Sequence, residues 1–193
     1  MDCRQAIMTR RSVRNYQSAP IPENVLNNIL SAACAAPSAL NLQPWYFVVI
    51  QSAEPMARLL EVMRPATQRL DAELTQRFPN HPQVVLETKR FVQLLGGAPV
   101  CILAFQTGGD THGRSQSTIL QSVAAAIENL LLAAWNEGLG SCWLTAPLEA
   151  GLAEELRTAF APEQGELAAL ITLGYPEHVP KAPKTKSGRY IIL

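Results

Sequence analysis

The chain has 193 residues, 48% of them hydrophobic, with sixteen basic and sixteen acidic side chains that cancel at neutral pH. That length suffices for one sizeable core, since chains of roughly 150 residues or more hide about 70% of their unfolded surface. Balanced charge excludes a long-range field that would recruit nucleic acid or an anionic membrane, so any anion must be gripped locally.

Asp2 can cap a short helix carrying Ala6, Ile7 and Met8, and the cluster "RRSVRNY" follows at its end, at a helix-to-strand junction. Pro22 suits a first helical turn, and Val25, Leu26, Ile29, Leu30 and Ala33 repeat at helical spacing until "AAPSA". The runs "WYFVVI" (45–50) and "APVCILAF" (98–105) read as strands buried on both faces. Between them, residues 64–97 are polar or weakly amphipathic and punctuated by Pro65, Pro79, Pro82, Gly96 and Gly97, which predicts a mobile helical excursion or lid within one domain. From about Gln116 to Asn136, apolar residues keep helical period for over five turns, ended by Gly138. Then come a short strand at 141–144, a helix at 148–160 and a strand at 167–176 closing in a Gly-Tyr-Pro turn. The arm 177–193 is polar and Pro-interrupted yet ends in "RYIIL", an apolar segment with no evident home in its own domain.

Cys3, Cys34, Cys101 and Cys142 form no CxxC pair or Cys/His cluster, which disfavours a disulfide framework or zinc site and suits a reducing cytoplasm. The N-terminal stretch lacks a hydrophobic signal core, and no apolar run is read as approaching the roughly 20 residues needed to span a bilayer. "GLGSCWLTAP" lacks the third glycine of a dinucleotide fingerprint. No P-loop, HExxH or GxSxG is present, and the three histidines have no metal-ligand spacing. Cys142 has no nearby base in sequence and reads as a buried structural thiol.

Two stretches carry candidate chemistry. Arg10, Arg11, Ser12 and Arg14 place three guanidinium groups and a hydroxyl within five positions; continued as a strand, Ser12 and Arg14 would share a face able to hold a phosphate, while the bland alternative is a solvated basic surface. In "PSALNLQPW", Ser38, Asn41 and Gln43 sit between two prolines, so a restricted backbone presents hydrogen-bonding groups at low ordering cost; the alternative is a connection that satisfies its own backbone.

Taken together, "RRSVR", "APSALNLQPWYFVV", "APVCILAF", "AAAIENLLLAAWNEGLGSCW" and "ITLGYP" followed by lysines resemble the FMN-dependent nitroreductase family in order and spacing, across almost the whole chain. The resemblance implies an α+β fold: a central mixed, mainly antiparallel sheet flanked by helices, in an intertwined homodimer with FMN at the interface. It assigns Arg10, Arg11 and Ser12 to the phosphate and ribityl chain, and Arg14 to the pyrimidine edge of the flavin. Pro37, Ser38, Ala39 and Asn41 are assigned to the flavin of the other subunit. Leu144, Thr145 and Ala146 match the segment passing the reactive N5, where many members have Gly in place of Ala146. The family's basic pair near the C-terminus falls on Lys184 and Lys186, with Lys181 close enough to substitute.

The implied activity is electron transfer from NAD(P)H to a small acceptor such as a nitroaromatic or quinone, with ping-pong kinetics. No side chain is expected to be catalytic in its own right, Arg14 acting as an electrostatic tuner. Alternatives are a specialised relative that fragments flavin or dehalogenates aromatics, and a flavin-binding protein without turnover. Nucleic-acid and membrane partners are not expected.

Overall fold

Asp2 accepts a 2.7 Å hydrogen bond from the Gln5 amide and so caps α1 (Cys3–Thr9), as the sequence predicts. The structure is a computed structural model that describes residues 1–107, 109, 111–182 and 184–192. Pro22 precedes α2 (Glu23–Cys34), and β1 (Trp45–Ile50) follows. Four helices fill the space before the next strand: α3 (Ala53–Met63), α4 (Ala66–Arg69), α5 (Asp71–Arg77) and α6 (Pro82–Leu94). After β2 (Val100–Gln106), Ser115 caps α7 (Gln116–Asn136) through the Thr118 amide. β3 (Gly140–Leu144), α8 (Ala146–Glu149), α9 (Ala153–Phe160) and β4 (Leu167–Gly174) complete the fold.

The strands form one sheet of order β1-β2-β4-β3, every ladder antiparallel. The expected mixed character is confined, among the described residues, to an isolated parallel bridge between Ser12 and Ser141. Alternation along β2 sends Cys101, Leu103 and Phe105 into one core and Val100, Ile102 and Ala104 into another. The first core is covered by Leu59, Met63, Ala66, Phe91, Val92 and Leu156 of α3, α4, α6 and α9. The second is covered by Leu26, Ile29 and Ala33 of α2 and by Val123, Ile127 and Leu130 of α7. Each fully buried large side chain contributes on the order of 1.5–3 kcal/mol. Helix α7 is long and apolar enough, by length and composition, to cross a membrane, yet Ile119, Val123, Ala126, Ile127, Leu130, Leu131 and Ala134 all face the protein interior.

Three expectations are corrected, and a fourth is extended. β1 is not buried on both faces: among the described residues it is an edge strand paired only with β2, and Tyr46 is exposed. Residues 148–160 are not one helix, because Gly151 at φ 64° separates α8 from α9. Residues 64–97 are helical but also supply Ala66, Leu70, Phe91, Val92 and Leu95 to the core, so their polar composition conceals a packed face. Beyond isolated bridges at Ser12 and Tyr16 the basic cluster is not a strand, since backbone contacts to three different elements pull it off the strand path.

Candidate functional site

The basic segment is fixed from its backbone. Arg10 caps α1 by donating its N–H to Ala6 O, and Ser12 bridges to Ser141 while Val13 N–H donates to Ser141 O at 2.9 Å. Val13 is 1% exposed and fits only because Gly140 has no side chain: a Cβ there would lie 2.6 Å from Val13 Cγ2. Tyr16 N–H donates to Gly96 O, Gln17 N–H to Tyr175 O, and Glu177 N–H to Asn15 O. The segment thereby crosses the end of the sheet where β2 begins and β4 ends.

The side chains left over are cationic. Arg10 lies 3.8 Å from the exposed Glu128 carboxylate, too long for a strong pair. Among the described residues Arg11 donates only to the carbonyls of Met8 and Arg10. The Arg14 guanidinium lies 5.8 Å from the centroid of the Phe91 ring. Neither Arg11 nor Arg14 has a carboxylate partner among the described residues. Beneath them, burial pushes the Cys142 thiol above its ordinary value, opposed by the fields of Arg14 and Arg10 and by the Ser12 hydroxyl. The thiol is therefore a neutral core group, as read from sequence. Ser141 Oγ, across the bridge from Ser12, is buried without a hydrogen-bond partner.

The loop after α2 is strained. Leu40, Asn41 and Gln43 all take positive φ (51°, 55° and 47°), which L residues other than Gly adopt at a cost. Ser38 Oγ accepts from Gln43 N–H, Gln43 Nε2 donates to Asn41 Oδ1, and Ser122 Oγ on α7 accepts from Ala39 N–H. Leu40 and Asn41 are exposed at the tip, and Pro37 is exposed at its root.

Leu144, Thr145 and Ala146 end β3 and open α8, on the same strand that carries the Ser12 bridge. An open cavity of about 810 Å³ adjoins Thr145, with Leu120, Ala124, Trp143 and Leu148 among its apolar walls and Gln106, Gln116 and Glu166 among its polar ones. Lys181, Lys184 and Lys186 lie exposed on an arm that leaves beside Asn15. Its Tyr190, Ile191 and Ile192 are 86%, 79% and 88% exposed, which leaves the apolar end without cover in this chain; Pro183 and Leu193 lie outside the described residues.

The structure thus brings Arg10, Arg11, Ser12 and Arg14 to the strand carrying Leu144, Thr145 and Ala146. It keeps the Pro37–Asn41 loop away from them. The loop enters β1 at the end where Trp45 faces Gln106, whereas Ser12 meets β3 at Ser141, opposite Leu173. Three strand spacings and about six residues of rise put these corners roughly 25 Å apart. Sequence reasoning missed Tyr16, Phe91, Gly96 and Ser122, which support the two candidate segments from afar. Tyr16 carried a signal as the last residue of the quoted basic cluster, and Gly96 as punctuation of the 64–97 segment.

Residues 7–175 match the Nitroreductase family. A Methanothermobacter thermautotrophicus protein provisionally named NADH dehydrogenase/NAD(P)H nitroreductase is 32% identical over 182 residues, covering 93% of this chain and 80% of that one. Iodotyrosine deiodinase 1 of Rattus norvegicus is 30% identical over 190 residues; the match covers 94% of this chain and 65% of the deiodinase. Among solved structures, a provisionally named nitroreductase from Desulfovibrio desulfuricans in complex with FMN superposes with a TM-score of 0.71 at 27% identity, covering 95% of this chain and 91% of that one. The chain belongs to the nitroreductase family and is an oxidoreductase.

Proposed function

We propose that this chain is an FMN-dependent oxidoreductase that takes electrons from NAD(P)H and passes them to a small acceptor such as a nitroaromatic or quinone. The observation that carries the reading is the basic cluster on the β3 edge, where Arg11 and Arg14 have no carboxylate partner among the described residues and Ser12 offers a hydroxyl between them. Such a donor set fits a phosphate-bearing, electron-rich cofactor. FMN, when bound, would supply hydride acceptance and two-electron delivery.

The chain's own groups then bind and tune. Arg10, Arg11 and Ser12 hold the phosphate and ribityl chain, joined by Lys184 and Lys186 or by Lys181. Arg14 holds a fixed positive charge against the pyrimidine edge, which raises the flavin potential. The peptide N–H groups of Leu144, Thr145 and Ala146 orient the reactive edge. No protein nucleophile is required, and a single site visited in turn by reductant and acceptor gives ping-pong kinetics.

The active unit is a homodimer. Pro37, Ser38, Ala39 and Asn41 reach the partner's flavin, because within one chain they stand roughly 25 Å from the basic cluster. The exposed Tyr190, Ile191 and Ile192 cross to the partner's sheet, which covers an apolar end that would otherwise face water. Residues 64–97 serve as the lid over the site. Balanced charge and a fully assigned core helix favour a cytoplasmic protein with neither nucleic-acid nor membrane partners.

Reductive dehalogenation is the second reading, favoured by the match to the deiodinase. Purified protein should be yellow, bleach anaerobically with NADPH, and recover its colour when an acceptor is added from a panel of nitroaromatics, quinones and halogenated phenols. A yellow protein that never bleaches has a binding role only, and one that ignores added FMN refutes the proposal.

A further inference from the structure

The Val13–Arg14 peptide has one anchor. Val13 is buried, and its carbonyl oxygen accepts a single hydrogen bond among the described residues, from the Tyr16 hydroxyl at 2.6 Å. Arg14 N–H donates to no group among them. The same hydroxyl lies 2.8 Å from Thr172 Oγ1, 156 residues away on β4, so the phenol donates to Val13 and accepts from Thr172. Desolvation raises the Tyr16 phenol far above its ordinary range, which favours the protonated, donating form.

The other end of Arg14 is held separately. Its guanidinium lies 5.8 Å from the centroid of the Phe91 ring on α6, inside the roughly 6 Å over which a cation and a ring quadrupole attract. Its carbonyl occupies the space a side chain at residue 96 would need: a Cβ on Gly96 would come within 2.2 Å of Arg14 O, and Gly96 O in turn accepts from Tyr16 N–H. Ordinary core packing accounts for the Tyr16 ring. It does not require a hydroxyl pointed at the carbonyl next to Arg14, the member of the basic cluster whose guanidinium bonds neither a backbone carbonyl nor a carboxylate among the described residues.

We infer that Tyr16 and Phe91 are positioning residues for Arg14: Tyr16 fixes the orientation of the Val13–Arg14 peptide, and Phe91 seats the guanidinium. This rests on the reading of the basic cluster as the FMN site. Because Phe91 and Gly96 belong to the 64–97 excursion, that excursion sets the position of the charge nearest the flavin ring, and movement in it changes flavin affinity and potential together.

The test compares full-length wild type with Tyr16→Phe, Phe91→Leu and, as benchmark, Arg14→Ala. FMN dissociation is followed by flavin fluorescence, the midpoint potential by dye-coupled titration, and amide exchange is measured on flavin-free protein. Tyr16→Phe raises the dissociation constant about tenfold, the loss of one hydrogen bond at 1.4 kcal/mol per decade. It also shifts the potential in the same direction as Arg14→Ala, and exchange protection falls at residues 12–17 while β2 and β4 keep theirs. Phe91→Leu weakens FMN severalfold, shifts the potential likewise, and leaves the sheet protected. Affinity within twofold of wild type with an unshifted potential in both variants, or protection lost across the whole sheet, overturns the inference. If wild type itself takes up no FMN, the cofactor reading fails, and the exchange pattern of Tyr16→Phe alone decides the clamp: local loss upholds it, and no loss refutes it.

Discussion

Gly140→Ala probes the seam that holds the basic cluster against the sheet. A Cβ at residue 140 would meet Val13 Cγ2 at 2.6 Å, Val13 Cβ at 2.7 Å and Val13 Cγ1 at 2.9 Å, each about 1 Å inside ordinary carbon contact. Val13 is 1% exposed, so its side chain has no free volume to enter, and relief must come from lifting its backbone off β3. Lifting by about 1 Å stretches the 2.9 Å bond from Val13 N–H to Ser141 O beyond useful length. Overpacking costs about 1–3 kcal/mol and the lost hydrogen bond about 1 kcal/mol, so stability falls by about 2–4 kcal/mol. For a domain of this size that lowers Tm by roughly 5–15 °C. Urea unfolding gives the energy, and FMN fluorescence reports whether displaced Ser12 and Arg14 also bind cofactor more weakly. Val13→Ala removes the two γ contacts but leaves the 2.7 Å one, so the double variant should lose less than the sum of the single losses. A Gly140→Ala protein as stable as wild type with full FMN retention would refute the seam.

Asn41→Ala should weaken FMN binding while leaving the dimer intact in ultracentrifugation; Asn41→Gly, which tolerates the 55° φ, separates the lost amide from backbone strain, and joint loss of dimer and flavin would make the loop an assembly element. Deleting residues 186–193 should lower dimer stability and FMN retention together, because it removes the exposed Tyr190–Ile192 segment and Lys186; a truncated protein still yellow and dimeric at nanomolar concentration contradicts the crossing arm. Stability should decline in alkali. Burial pushes Cys101 from 9.0 up to about 12, so its contribution is complete below about pH 9 and is lost as pH rises toward 12, at about 1.4 kcal/mol per pH unit. Denaturant titrations from pH 8 to 11 on wild type and Cys101→Ala check this, and equal slopes would remove Cys101 as a source.

Local chemistry was enough to place much of this molecule from sequence. Asp2 caps α1 because a carboxylate is the nearest acceptor for a free helix amide, and α7 spans Gln116–Asn136 as its apolar period predicts. The apolar runs at 45–50 and 98–105 became β1 and β2 within two residues. The candidate residues, too, could be named from sequence, since guanidinium clusters and proline-bounded polar loops carry their chemistry in their composition. Tertiary structure decided which of them meet. Nothing in "WYFVVI" says that it is an edge strand, because strand order depends on pairings made by residues far along the chain. Residues 64–97 look polar in a window, yet Phe91 and Val92 find a core that only folding creates. The hydroxyl of Tyr16 meets Thr172, 156 residues away, and the glycines at 96 and 140 are held to that residue type by Arg14 and Val13 pressed against them. These are long-range contacts, made where segments distant in sequence compete for the same small volume, and no local pattern encodes them.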